Sequence, residues 1–226
     1  MTVLEAYLDE SWGNEDSAFC VGGPIFMPGQ ARAFDAEWTK FLSGRPPFHM
    51  KDRSKKKGFF AGLDDRAADV EVDRACGLLA RHRLVYVASW CKLKAVRAHL
   101  PKRYCEFNQI YTFCAHYALI CAGQWAREDR PGDDISYVFE ADHAHWPQLK
   151  KHLGKVSNEW PVIRKASRMA RYEGSGKGNS CLQAADCFVW HLRNTASRIR
   201  RLERGSLIMK KEDLDDIPRR FRELCG

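Results

Sequence analysis

The stretch Tyr7-Leu8-Asp9-Glu10-Ser11 constrains this chain more than any other. An apolar run from Val3 to Leu8, broken only by Glu5, reads as a strand, and it ends in two adjacent carboxylates. Paired carboxylates repel, and each loses hydration on burial unless something neutralises it. A hard divalent cation such as Mg²⁺ does so through oxygen ligands. The other reading is a strand that runs out into water at Asp9. Side chains alternate along a strand, so Asp9 and Glu10 face opposite ways if the strand persists through both. Asp9 is therefore the primary candidate and Glu10 the secondary one.

The rest of the pattern is that of an α/β chain. Ser17–Met27 reads as a second strand, joined to the first as a hairpin across Gly13-Asn14, and Gly22-Gly23-Pro24 within it suggests a bulge or an edge position. Phe34, Trp38 and Leu42 recur at four-residue spacing and predict a helix over Ala31–Leu42, stopped by Gly44-Arg45-Pro46-Pro47. Leu63–His82 has helical periodicity on Val70, Ala75, Leu78 and Leu79. Leu84–Trp90 reads as a strand, Phe107–Trp125 as a long buried helix, and Ile135–Glu140 as a strand ending in a third acidic residue. A helix to about Val156 follows, then a strand over Pro161–Met169, a glycine-rich loop over Tyr172–Ser180, a strong helix over Cys181–Arg204 and a short one over Asp213–Leu224. With no internal repeat and no linker, the simplest organisation is one domain over 1–226 with a helical extension from about 205.

Ligands of α/β sheets gather beyond the carboxyl ends of the strands. If the first strand and Ile135–Glu140 are parallel neighbours, Asp9 and Glu140 meet there, with Asp142 as the alternative to Glu140. Leu182, Ala185, Val189, Leu192, Ala196 and Ile199 form an apolar stripe that leaves Asp186 on its edge. A carboxylate there needs a partner, either a metal or an arginine such as Arg193. His49 and Asp52 are substrate-facing or metal-site candidates, or members of a polar loop. Next to them, Lys51–Lys57 holds five cations in seven residues, among them Lys51, Lys55, Lys56 and Lys57. Arg164, Lys165, Arg168 and Arg171 are candidates to line a nucleic-acid groove, and a mobile loop would bring Lys177 to a phosphate. The arginine run from Arg193 to Arg204 reads as a solvated face.

The net charge of +8 suits a polyanionic partner. No apolar run approaches the roughly 18–20 residues that span a bilayer, and no cationic-then-apolar leader opens the chain, so the expected compartment is the cytoplasm, with no membrane partner. Nine cysteines at irregular spacing, without C-x-x-C, read as buried thiols in a reducing compartment. Cys187 and His191 lie one helical turn apart, a spacing that can also hold a metal. There is no G-x-S-x-G nucleophile elbow.

Taken together, Tyr7-Leu8-Asp9-Glu10-Ser11, Ala18–Ile25, Phe48-His49-Met50-Lys51-Asp52, the strand ending at Glu140 and Leu182-Gln183-Ala184-Ala185-Asp186 resemble the domain of unknown function 3800 family of bacterial and phage proteins. Family members usually carry glycine directly after D-E-S, where this chain has Trp12 before Gly13. The resemblance implies a ribonuclease H-like fold, a mixed sheet of about five strands flanked by helices. It places Asp9 on the central strand, Glu140 or Asp142 at the end of a later one and Asp186 on the closing helix, holding two Mg²⁺ or Mn²⁺ ions. The implied activity is phosphodiester hydrolysis in DNA or RNA. The alternative is a non-catalytic nucleic-acid-binding or defence-system interaction protein on the same scaffold.

Overall fold

A computed structural model describes residues 2–14, 17–99, 102, 105–140, 147, 149, 151, 170–173, 178–198 and 204–210. The strand β1 (Val3–Ser11) runs through both acidic residues instead of ending at Asp9. It turns back into β2 (Ala18–Phe26) as the expected antiparallel hairpin, with Asp9 opposite Gly22. Trp12 stands in the turn, half exposed and stacked on Phe19. Its carbonyl accepts a 2.7 Å hydrogen bond from Arg193 Nη1.

The sheet has the order β5-β4-β1-β2-β3-β6. Here β3 is Val85–Lys92, β4 Asp134–Glu140, β5 Ala170–Glu173 and β6 Arg204–Lys210. The pairs β1–β2, β2–β3 and β3–β6 are antiparallel, and β1–β4 and β4–β5 are parallel, so the sheet is mixed. Among the described residues, four strands, β1 to β4, make its body and two more pair at the edges, against the expected number of about five. The helices with described bounds are α1 (Pro28–Leu42), α2 (Met50–Lys55), α3 (Asp65–His82), α4 (Leu93–His99), α5 (Phe107–Asp129) and α6 (Ser180–Arg198).

Alternation along the strands makes two cores. Tyr7, Cys20, Phe26, Tyr86, Ala88 and Val138 pack under α1, α3 and α6. Leu4, Ala6, Leu8, Val21, Val87, Tyr137 and Phe139 pack under α5. The result is an α/β layer covered on both faces.

Several expectations change on contact with this packing. Gly22-Gly23-Pro24 marks neither a bulge nor an edge, because β2 is an inner strand paired in continuous register with β3 from Ala18↔Lys92 to Ile25↔Val85. The glycines are there for close approach. A Cβ on Gly23 would lie 1.9 Å from the Tyr7 carbonyl oxygen and 3.0 Å from the Ala185 methyl on α6. The α5 helix is buried on one face only: Tyr111, Cys114, Ala118 and Trp125 point inward, whereas Phe113 and Tyr117 are exposed. On α3 Ala75, Leu78 and Leu79 are buried as expected, joined by Ala68 and Val72, whereas Val70 faces water. The helical extension expected from about 205 is instead β6 up to Lys210, whose run Leu207-Ile208-Met209 supplies the edge of β3 with a ladder partner. The helix expected over Asp213–Leu224 and the strand expected over Pro161–Met169 lie outside the described residues. Tyr172, expected in a loop, belongs to β5. No helix among the described residues is long and apolar enough to cross a membrane.

Candidate active site

The parallel register of β1 and β4 pairs Leu8 with Phe139, and one step further sets Asp9 beside Glu140. Alternation gives both carboxylates the face of Tyr7 and Val138, the face that α6 covers. Glu10 takes the opposite face, that of Leu8. The choice of Asp9 over Glu10 thus follows from strand parity.

The third carboxylate comes from α6. Its N-terminus is capped by Asn179, whose Oδ1 accepts the Leu182 N–H at 3.0 Å. Leu182, Ala185, Val189, Leu192 and Ala196 are buried as the stripe requires, and Asp186 on its edge is 9% exposed. Arg193 acts on it through its charge, but among the described residues forms no ion pair with it. Asp186 Oδ2 lies 2.8 Å from His49 Nδ1 and accepts the Met50 N–H at 2.7 Å. Met50 opens α2, so this bond satisfies one of the free N–H groups of a helix start. Both bonds use Oδ2, and neither involves Oδ1.

One turn earlier on α6, Gln183 Oε1 accepts the Phe48 N–H and the Trp38 indole N–H, both at 2.9 Å. Phe48 is in turn locked among Trp38, Phe41, Phe59 and Phe60, with ring centroids 5.0–5.9 Å away. The Gln183–Asp186 pair therefore fastens to α6 the loop ending at His49 and the start of α2, the helix that carries Asp52. Sequence reasoning singled out Asp186 and missed the role of Gln183. The signal was present, since a glutamine on an apolar stripe needs a buried partner.

These elements enclose a cleft of about 370 Å³ lined by acidic and basic groups together. Asp9, Glu140 and Asp186 are on its wall, with His49 and Asp52 beside them and Lys51, Lys55 and Lys57 also lining it. Lys57 Nζ lies 3.5 Å from Asp52 Oδ1. Gly58, at φ +54°, leaves room for that carboxylate, because a Cβ would stand 2.6 Å from Asp52 Oδ2. Lys56 does not line the cleft: it ends α2 in a left-handed conformation and pairs with Asp65 at 3.1 Å. Asp142, Arg164, Lys165, Arg168 and Lys177 lie outside the described residues, as does the side chain of Arg171, whose backbone is in β5.

Burial, then the charges of Glu10, Asp186 and Glu140, holds the Asp9 carboxyl well above its usual range. A hydrogen bond from the Glu10 N–H to Asp9 Oδ1, 2.8 Å long, acts in the other direction. Among the described residues, no lysine or arginine forms an ion pair with Asp9 or Asp186; the ion-pair partner of Asp186 is His49. Such a set of mutually repelling oxygen donors is chemically suited to a hard divalent cation. The three carboxylates are spread along the wall. Among the described residues, only Cys76, Cys187 and His191 bring three ligand atoms within 4.8 Å of one another.

That second cluster joins α3 to α6. Cys76 Sγ lies 3.7 Å from Cys187 Sγ and 3.7 Å from His191 Nε2. The hydrogen bond from Cys187, helped by His191, pulls the Cys76 thiol down to about 5. Cys187 and His191 could be paired from sequence by helical spacing, whereas Cys76 lies 111 residues from Cys187 and carried no such signal. Comparisons with protein-family models, with curated proteins and with solved structures gave no match for this chain.

Proposed function

We propose that the cleft is the active site of a metal-dependent nuclease that hydrolyses phosphodiester bonds, on a ribonuclease H-like scaffold of the domain of unknown function 3800 type. The observation that carries this reading is that Asp9, Glu140 and Asp186, from two parallel strands and one helix, all line one cleft, together with Lys51, Lys55 and Lys57. The strand order, with β1 inside the sheet between an antiparallel hairpin partner and a parallel one, supports the scaffold.

Asp9, Glu140 and Asp186 are the residues that would hold Mg²⁺ or Mn²⁺. Bound there, such ions neutralise developing charge on a phosphoryl group and lower the pKa of water. The chain's own groups do the remainder. The three lysines neutralise and position the phosphate backbone, a contact that carries no base information. Asp186 orients the imidazole of His49, whose side chain is 44% exposed, so that the ring can pass a proton between the reacting group and water. Asp52 holds Lys57 near the lining.

A non-catalytic reading would need a lysine or arginine paired with the carboxylates; among the described residues none forms an ion pair with Asp9 or Asp186, and Arg193 acts on Asp186 through its charge alone. The test is a panel of single- and double-stranded DNA and RNA oligonucleotides in Mg²⁺ and in Mn²⁺, with Asp9→Asn and Asp186→Asn beside the wild type. Asparagine at 186 keeps an acceptor for Met50 and leaves the loop in place. Metal-dependent cutting lost in both variants is the expected result. Cutting that survives either substitution would refute the assignment.

A further inference from the structure

We infer that Cys76, Cys187 and His191 form a tetrahedral binding site for Zn²⁺ that staples α3 to α6, separate from the carboxylate cleft. A tetrahedral site with metal–sulfur bonds of about 2.3 Å and metal–nitrogen bonds of about 2.0–2.1 Å has edges of roughly 3.8 Å between thiolates and roughly 3.6 Å between thiolate and imidazole. The observed separations are 3.7 Å from Cys76 Sγ to Cys187 Sγ and 3.7 Å from Cys76 Sγ to His191 Nε2. All three ligand atoms fall within 4.8 Å of one another. Two of the three edges therefore already match a ligand set, and the third, between Cys187 and His191, is no longer than 4.8 Å.

The ligands come in an arrangement that two packed helices supply readily. Cys187 and His191 are at i and i+4 on α6, so both face α3. Cys76 comes from the buried side of α3, flanked by Ala75 and Leu79 in the same core. Cys187 is 1% exposed, whereas Cys76 and His191 are partly exposed, which gives the ion an entry path from the surface. A water can take the fourth position; Asp73, one turn before Cys76, acts on that thiol through its charge but is not among the atoms within 4.8 Å of one another. Two thiolates and an imidazole select a borderline-soft ion, whereas the carboxylates of the cleft select a hard one. The two sites are thus chemically distinct, although Cys187 follows Asp186 directly in the chain.

The consequence is structural. The staple would fix the helix that presents Gln183 and Asp186 to the loop carrying His49. An ion that binds only the folded chain stabilises it by mass action. At free Zn²⁺ about 100-fold above Kd, the melting temperature of a chain this size should rise by roughly 5–10 °C.

The experiment uses the full chain, reduced and stripped with a chelator, titrated first with Co²⁺ and then with Zn²⁺. The variants are Cys76→Ser and His191→Asn, both at partly exposed positions, with circular dichroism confirming their fold in the absence of metal. The expected result is one equivalent of Co²⁺ showing thiolate charge-transfer and tetrahedral ligand-field absorption, displaced by Zn²⁺. Zinc affinity should fall in each variant by more than the roughly 10–100-fold typical of an outer-shell change, and the thermal shift should disappear. Co²⁺ spectra without thiolate absorption would overturn the assignment, as would zinc uptake by the folded variants equal to that of the wild type. Neither readout involves nuclease activity, so the result stands or falls apart from that reading.

Discussion

Burial and the charges of Glu10, Asp186 and Glu140 raise the Asp9 pKa above its ordinary value of 3.8, and the sign of this shift has a measurable consequence. The folded chain holds the Asp9 proton to higher pH than the unfolded chain does. Asp9 therefore favours the fold below about 3.8 and loses that contribution as pH rises through the raised folded value. Without metal at neutral pH, Asp9→Asn should increase stability while abolishing function, with the melting temperature rising roughly 2–4 °C for each kcal/mol relieved. Thermal melts of both proteins from acid to neutral pH should show the gain shrinking as pH falls. A variant less stable than wild type at neutral pH would contradict the electrostatics. Asp9 was legible in the sequence because a carboxylate at a strand end is chemically conspicuous. The partner of Asp186 was not, since His49 lies 137 residues away and only the folded loop brings it to 2.8 Å.

At the level of elements, the site depends on how closely α6 lies on the sheet and how firmly it holds the His49 loop. Gly23→Ala would drive a methyl to 1.9 Å from the Tyr7 carbonyl oxygen, a backbone atom that cannot swing away. Overpacking of this kind costs about 3 kcal/mol or more, and chemical denaturation should show it. Gln183→Ala would strip the acceptor from two buried donors, Phe48 N–H and Trp38 Nε1–H, at about 1–3 kcal/mol each. Its melt should fall accordingly, and activity should fall with it as the loop loosens. An unchanged melt would mean that the aromatic cluster alone fixes the loop. The periodicities of α1, α3 and α6 were readable because each helix buries one face, and the four main strands because their apolar runs are buried on both faces. Gly22-Gly23-Pro24 suggested a bulge or an edge position because an inner strand and an edge strand carry the same glycine signal, and only the approach of a helix separates them.

At the scale of the whole molecule, the α/β layering followed from alternating strands and amphipathic helices, and the parallel pairing of β1 with β4 is what turned two distant acidic strand ends into one site. The sheet edges were harder to foresee. β6 has an apolar run of only three residues, Leu207-Ile208-Met209, between Arg-Gly-Ser and Lys210, and it pairs along the edge of β3. Charge acts at this scale as well. Replacing Lys51, Lys55 and Lys57 together by alanine should weaken binding of oligonucleotides across sequences and reduce the slope of log K against log salt by roughly 2–3. Equal slopes for the two proteins would place the polyanion on some other face.

The most direct test of the carboxylate site is an Mn²⁺ binding isotherm on the Cys76→Ser protein, in which only the cleft should take up a hard cation, compared with the same protein carrying Asp9→Asn. Saturable Mn²⁺ uptake that Asp9→Asn abolishes without unfolding the chain is the expected result. Absence of uptake, or uptake indifferent to Asp9, would contradict the assignment of Asp9, Glu140 and Asp186 as a metal site.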